Sequence, residues 1–207
     1  MPRDKTASHV RVMEAAREEF AEYGYENASM RRIGDRCGMT AAGLYRHCVN
    51  KEDLFREVVS PSVRKIEDWL EVHIGKSLAA ADAGGADLRK DSAADLMREV
   101  IYPNMEEYRL LLTGSRGTAY EDFLQGLTEK YLDRMLSFLL VLQEKGGRPR
   151  MVEPGELHLL LKAYTSAMLE PVLQGYSEEK ACRCLETLET FFLSGWKQLL
   201  GFQDRGI

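Results

Sequence analysis

The chain has 207 residues, 44% of them hydrophobic and 29% charged, with 6 Pro, 17 Gly, 4 Cys and a net charge of −5. This composition excludes a disordered, collagen-like or low-complexity polymer and suffices for one or two domains with cores of their own. No run of 18 apolar residues offers a membrane span, and the opening Met-Pro-Arg-Asp-Lys-Thr lacks the apolar stretch of a secretory signal. Four cysteines make no disulfide framework, so a reduced, cytoplasmic protein is expected.

Sustained alternation of β-branched residues is absent, and helical spacing recurs throughout, so an all-α fold of about nine helices is expected. Met13, Ala16, Phe20 and Tyr23 step by three and four along a first helix, from about residue 8 to Tyr23, that stops at Gly24. Ser29 is placed to cap a second helix with Met30, Ile33 and Cys37 inward, and Gly38 breaks it. Thr40 then caps a short third helix, about Ala41 to His47, with Leu44 inward. Asn50-Lys-Glu-Asp opens a fourth, which carries its acids in the first turn where the helix dipole favours them. Pro61 is expected to kink that helix rather than end it, because apolar spacing resumes at Val63, Ile66, Trp69 and Leu70.

The small, polar run from Ala79 to Asp91 reads as a linker. Further helices are expected over about 92–102, 104–112, 118–145, 154–174 and 177–200, with breaks at Pro103, Gly114–Gly117, Gly146-Gly147 and Gly201.

Charge is uneven. Between Ser29 and Lys51 stand Arg31, Arg32, Arg36, Arg46 and Lys51 against Asp35 alone, a basic patch on an acidic chain. Such a patch suits local contact with a polyanion, although a solvated basic helix face has the same composition. The same stretch has the parts of a helix-turn-helix. Ile33 and Cys37 supply a packing face, Gly38 the tight turn, and Thr40-Ala-Ala-Gly-Leu-Tyr-Arg-His a short helix whose small leading residues admit close approach to a major groove.

Catalytic chemistry has little support. Histidines 9, 47, 73 and 158 are scattered without a His-Glu-x-x-His. Cys182 and Cys184, two apart on a helix, point about 200° from each other and make a poor metal pair. Cys37 and Cys48 both read as core positions. Gly114-Ser-Arg-Gly117 lacks a phosphate-loop lysine. No enzyme activity, cofactor or metal is expected.

At Ala15-Ala16, Phe20, Gly24-Tyr25, Ser29-Met30, Ile33, Gly38-Met39-Thr40, Gly43-Leu44-Tyr45 and Lys51-Glu52-Asp53-Leu54 the chain resembles the TetR family of bacterial transcriptional regulators. The likeness covers about residues 10–55. It departs at Gly34, where Ala is usual, and at Cys48, where Phe is usual, so Val49 or a side chain of the fourth helix must fill that space. The resemblance implies a helix-turn-helix DNA-binding domain over 1–50 and a helical ligand-binding and dimerisation domain over 51–207. It implies that Ser29 bonds a phosphate, that Thr40, Ala41, Ala42 and Gly43 face the groove, and that Tyr45, Arg46, His47 and Lys51 hold the DNA backbone. Sequence reading falls to Arg31, Arg46 or Thr40, to thymine methyl contacts and to DNA shape, and Arg3 and Lys5 could form a flexible arm. Read from the residues alone, Thr40 serves equally as a plain cap, Tyr45 as a half-core ring and Arg36 as a solvated cation.

The resemblance further implies a homodimer on an inverted-repeat operator of double-stranded DNA. Its last two helices would pair with their copies through Leu161, Tyr164, Met168, Leu185, Leu188 and Phe192. The middle helices would enclose a small, largely apolar effector among Trp69, His73, Met105, Tyr108, Tyr120, Phe123, Met135, Tyr131, Tyr164 and Met168. Ordinary core packing explains each of these side chains as well. Two functions follow: a ligand-responsive transcriptional repressor, or a protein of the same fold that acts through a protein partner with DNA as a tether.

Overall fold

The computed structural model describes residues 5–82, 93–144, 150 and 152–201, with the backbone alone at 5, 41, 73–82 and 142. Among these residues every regular element is helical: α1 (Lys5–Asn27), α2 (Met30–Cys37), α3 (Ala41–Leu44), α4 (Lys51–Asp82), α5 (Ala93–Leu96), α6 (Met105–Thr113), α7 (Phe123–Glu144), α8 (Pro154–Leu173) and α9 (Glu178–Leu200). A π-helical turn, Met97–Ile101, and a 3₁₀ turn, Tyr102–Asn104, join α5 to α6. The expected arm residues Arg3 and Lys5, as side chains, and the linker from residue 83 lie outside the described set.

The helices pack as two compact units. The first holds Met1–Lys65 and Asn104–Phe123, the second Ile66–Pro103 and Leu124–Ile207. Packing thus draws α6 and the first half of α4 in with α1 to α3.

In the first unit the core face of α1 is Val12, Ala15, Ala16 and Phe20. This face is rotated by about one residue from the expected one. Met13 is half-buried, and Tyr23 lies outside, under the Arg32 guanidinium at 4.3 Å. Gly24 interrupts α1 at φ 68° and ψ 172°. Phe20 meets Phe55 of α4 edge-on at 5.1 Å, and Tyr25 meets the same ring at 5.3 Å. Gly24 also lets the chain come close to Gly114 after α6, where the Tyr25 N–H donates to the Gly114 carbonyl at 2.7 Å. Tyr108 of α6 is fully buried and donates its hydroxyl to the Ser62 carbonyl at 2.6 Å. Burial pushes that phenol far above its ordinary range, so it remains a neutral donor.

The fourth helix starts as the sequence implies. The Asn50 Oδ1 accepts the Asp53 N–H at 2.7 Å, and the Asp53 carboxylate accepts the Val49 N–H at 3.1 Å. It passes through Pro61 and continues to Asp82. Val49 is 79% exposed, so it does not fill the space beside the buried Cys48. The seventh helix starts at Phe123 rather than Thr118. Gly117 turns at φ 79°, the Thr118 hydroxyl donates to the Ser115 carbonyl at 2.6 Å, and its oxygen accepts the Tyr120 N–H at 3.0 Å. These local bonds give the backbone a turn in place of a helix.

In the second unit Phe138, Leu139, Val152, Leu157, Leu161, Trp196 and Leu200 form a core cluster from α7, α8 and α9. Buried hydroxyls of Thr128 and Thr165 join α7 to α8 at 2.8 Å. Ser177 caps α9 and Gly201 closes it at φ 73°. The expected helix over 92–102 is present, but it widens to π geometry at Met97.

Candidate nucleic-acid interface

A helix-turn-helix is built on α2 and α3. Ile33 and Cys37 of α2 are buried, and Gly38 ends the helix at φ 68° and ψ 33°, the left-handed conformation that a side chain disfavours. Its backbone then reverses, with the Met39 N–H on the Gly34 carbonyl at 2.8 Å. The Thr40 Oγ accepts the Gly43 N–H at 3.1 Å and so caps α3. Regular α-helix covers only Ala41–Leu44, shorter than the expected 41–47. The Arg46 and His47 N–H groups continue it as tighter turns onto the Gly43 and Leu44 carbonyls at 3.3 and 2.7 Å.

One anchor and an outward edge result. Leu44 is wholly buried, while Thr40, Ala42, Tyr45 and Arg46 are exposed. Tyr45 is 54% exposed and thus no half-core ring. Gly43 is buried, and a Cβ there would lie in van der Waals contact with the Thr40 Oγ at 3.4 Å. Ala41 is described by its backbone alone.

The cations behave less simply than their count suggests. Glu19 of α1 is fully buried, and its carboxylate organises α2. One oxygen accepts the Arg32 Nε–H at 2.6 Å and the Ser29 N–H at 3.0 Å, and the other accepts the Arg36 Nε–H at 3.2 Å. Arg36 also pairs with Glu18 and Glu22, so it is not the solvated cation the sequence allowed. The Tyr23 hydroxyl, then Arg36, hold the Glu22 carboxyl below its ordinary range. Two of the five cations between Ser29 and Lys51 are therefore spent on fastening α2 to α1.

Lys51 is a third. Its ammonium donates to the Tyr25, Glu26 and Ala28 carbonyls at 2.7, 3.2 and 3.1 Å and lies 4.4 Å from the Tyr25 ring centre. Burial draws its pKa down, with Glu26 opposing. In this arrangement its three N–H groups close the end of the α1 segment. Arg31 and Arg46 keep exposed side chains, and no ion pair of either is seen among the described residues. The Ser29 hydroxyl makes no capping bond to α2.

The sequence left out two neighbours of this edge. Thr6 and His9 of α1 line a cleft of about 380 Å³ with Arg46 and His47. Only a lone histidine near the N-terminus marks it in the sequence.

Effector and assembly residues divide differently from their expected grouping. Met105, Tyr108, Tyr120 and Phe123 belong to the first unit, and Trp69, Tyr131, Tyr164 and Met168 to the second, so neither unit brings the set together. Tyr108 and Met168 are packed into core. The His73 side chain lies outside the described set. Burial pushes the Tyr131 and Tyr164 phenols far up, and the Glu189 carboxyl above its usual range as well. A cleft of about 420 Å³ in the second unit shares only Tyr131 with the expected set; Glu67, Glu71, Lys130 and Arg134 make its lining charged, not apolar.

Of the expected dimer contacts, Leu161, Met168 and Leu185 are buried in the chain's own core. Tyr164, Leu188 and Phe192 stay partly exposed. The large apolar groups that do stand out on α8 and α9 are Leu159, 69% exposed, Leu173, 38% exposed, and Phe191, 74% exposed. Phe191 borders a groove of about 790 Å³ with Leu160, Phe192, Trp196 and Leu199.

Among the described residues no helix is long and apolar enough to cross a membrane, and no three His, Cys, Asp or Glu side chains gather as a metal site.

Residues 12–58 match the family model of bacterial regulatory proteins, tetR family. The HTH-type transcriptional repressor AcnR of Corynebacterium efficiens is 24% identical over 185 residues, 88% of this chain and 91% of that protein. AcnR of Corynebacterium jeikeium is 32% identical over 65 residues, 31% of this chain and only 34% of its own length. A TetR-like transcriptional regulator from Rhodococcus sp. RHA1 has the same fold at TM-score 0.54 and 16% identity, covering 93% of this chain and 98% of that one. Residues 12–58 thus carry a head of the tetR family of bacterial regulatory proteins, and the all-helical fold as a whole is that of the TetR-like regulator from Rhodococcus.

Proposed function

We propose that the chain is a DNA-binding transcriptional repressor whose residues 1–50 read DNA and whose residues 51–207 assemble the dimer and bind an effector. The observation that carries this reading is the edge made by α3. Leu44 anchors it in the core while Thr40, Ala42, Tyr45 and Arg46 stand exposed on one short turn. Ala42 and Gly43 let the backbone approach base edges, and Arg31 and Arg46 bring the cations left over from internal pairing. The repressor names of the two AcnR relatives support the sign of regulation.

Two copies would join through the apolar groove of α8 and α9 around Leu160, Phe191 and Phe192, in place of the buried Leu161, Met168 and Leu185. A two-fold dimer presents two identical heads, so the operator would be an inverted repeat. A small-molecule effector in the second unit would shift the population toward heads spaced wrongly for successive grooves. Selecting duplexes from a random-sequence pool tests the reading. An inverted repeat bound with steep salt dependence, and lost in Thr40→Ala/Tyr45→Ala, is expected. Recovery of no preferred sequence would remove it.

A further inference from the structure

Internal pairing leaves the head short of cations for a phosphate backbone. Arg32 and Arg36 are bound to glutamates of α1, and Lys51 to three carbonyls. A polyanion binder of this kind needs donors from elsewhere. The cleft lined by Thr6, His9, Arg46 and His47 offers them beside the exposed α3 edge.

We propose that this cleft seats one backbone phosphate diester of the DNA, and that His9 takes up a proton from solvent when the phosphate binds. The site deepens the DNA-binding reading above and rests on it. Its logic begins with Glu57 of α4. The His9 Nε2 lies 2.7 Å from a Glu57 carboxylate oxygen. An ionised carboxylate only accepts, so Nε2 carries the hydrogen in that bond. His9 then has Nδ1 left. In the neutral ring Nδ1 is a bare lone pair, which repels a phosphate oxygen; in the imidazolium it is an N–H that donates to one. Phosphate binding therefore selects the doubly protonated ring, with one proton shared toward Glu57 and the other toward the phosphate.

The surroundings fit that change. Among the described residues, the polar groups around His9 are Glu57 from α4, Arg46 and His47 from the turn after α3, and Thr6 one helical turn back on α1. The His47 ring lies 6.1 Å from that of His9, tilted by 32°. Glu57 offsets the second charge on His9, and an incoming phosphate offsets the charge that Arg46 and a protonated His9 place together. Without an anion those two cations oppose each other across the cleft. The His9–Glu57 bond also ties α1 to α4, so the seat is held by two helices rather than by a loose arm.

The test uses full-length protein and a duplex it has itself selected from a random-sequence pool, followed by fluorescence anisotropy. Wild-type affinity should fall as pH rises, by at most about tenfold per pH unit for each head. His9→Gln keeps a donor toward Glu57 but cannot titrate. It should bind about five- to tenfold more weakly at the acid end, flatten the pH profile, and lower the salt slope by about one contact per head. His47→Gln serves as the comparison and should leave most of the pH dependence in place. Unchanged affinity, pH profile and salt slope in His9→Gln would overturn the seat while leaving DNA binding intact. Selection of no duplex by the wild type would instead overturn the reading beneath it. Should His9→Gln fold poorly, imidazole NMR of the wild type decides: His9 becomes cationic on addition of duplex at neutral pH, or it does not and the proposal fails.

Discussion

Glu19 and Arg32 are joined at 2.6 Å, a fully buried carboxylate of α1 holding a cation at the start of α2. The same carboxylate takes the Ser29 N–H and the Arg36 Nε–H, so a single side chain sets the angle between supporting helix and core. Removing it takes one acceptor from each of two guanidinium groups and leaves the Ser29 N–H without its partner, while Arg36 keeps Glu18 and Glu22 and Arg32 keeps the Asn27 carbonyl. Glu19→Ala should cost about 2–4 kcal/mol in urea unfolding, and Glu19→Gln, which keeps the shape and one acceptor, about half as much. A loss below about 0.5 kcal/mol in Glu19→Ala would show that solvent takes over the bonds.

Gly38 carries the turn. A Cβ there would meet nothing within 4 Å, so space is not the constraint; the φ of 68° is. Gly38→Ala should lose about 1–2 kcal/mol, and Gly38→Asn less, because Asn tolerates the left-handed region. Thermal unfolding of both variants checks the order Gly, Asn, Ala.

Lys51 separates two roles that look alike in sequence. As a cap on three carbonyls it contributes to stability, so Lys51→Met should cost about 1–3 kcal/mol. The salt slope of duplex binding should stay as in the wild type. A lysine on a phosphate would instead lower that slope by about one per head.

The helix-turn-helix was legible because it rests on backbone requirements. Gly38 must turn, Thr40 must cap, and Leu44 is the apolar residue that its short helix turns inward. Fates of charges were not. Arg32, Arg36 and Lys51 look like free cations in a linear reading, and only the packing of α1 against α2 and α4 shows their partners. The width of an apolar stripe likewise does not say which edge is left over. Leu161, Met168 and Leu185 close the chain's own core, and Phe191 and Leu159 remain outside. Thr6 and His9 carried no signal, because their meaning comes from Arg46 and His47 some forty residues away.

That assignment of the stripe has a direct consequence for assembly. Phe191→Glu places a charge on the exposed rim of the α9 groove and should dissociate the proposed dimer at micromolar concentration. Leu185→Ala should instead cost about 2–4 kcal/mol of stability and leave the assembly state alone. Sedimentation velocity of the two variants reads both outcomes.

Site-specific photo-crosslinking from position 42 examines the α3 edge at closest range. Ala42 is exposed and precedes Gly43 on the turn. With a selected duplex, a photoreactive side chain at 42 should label bases within each half-site, through the major groove, while the same group at the exposed position 183 on α9 labels no DNA. Labelling of a protein partner at 42, or no labelling of bases from a duplex that is demonstrably bound, would contradict groove reading by residues 40–47.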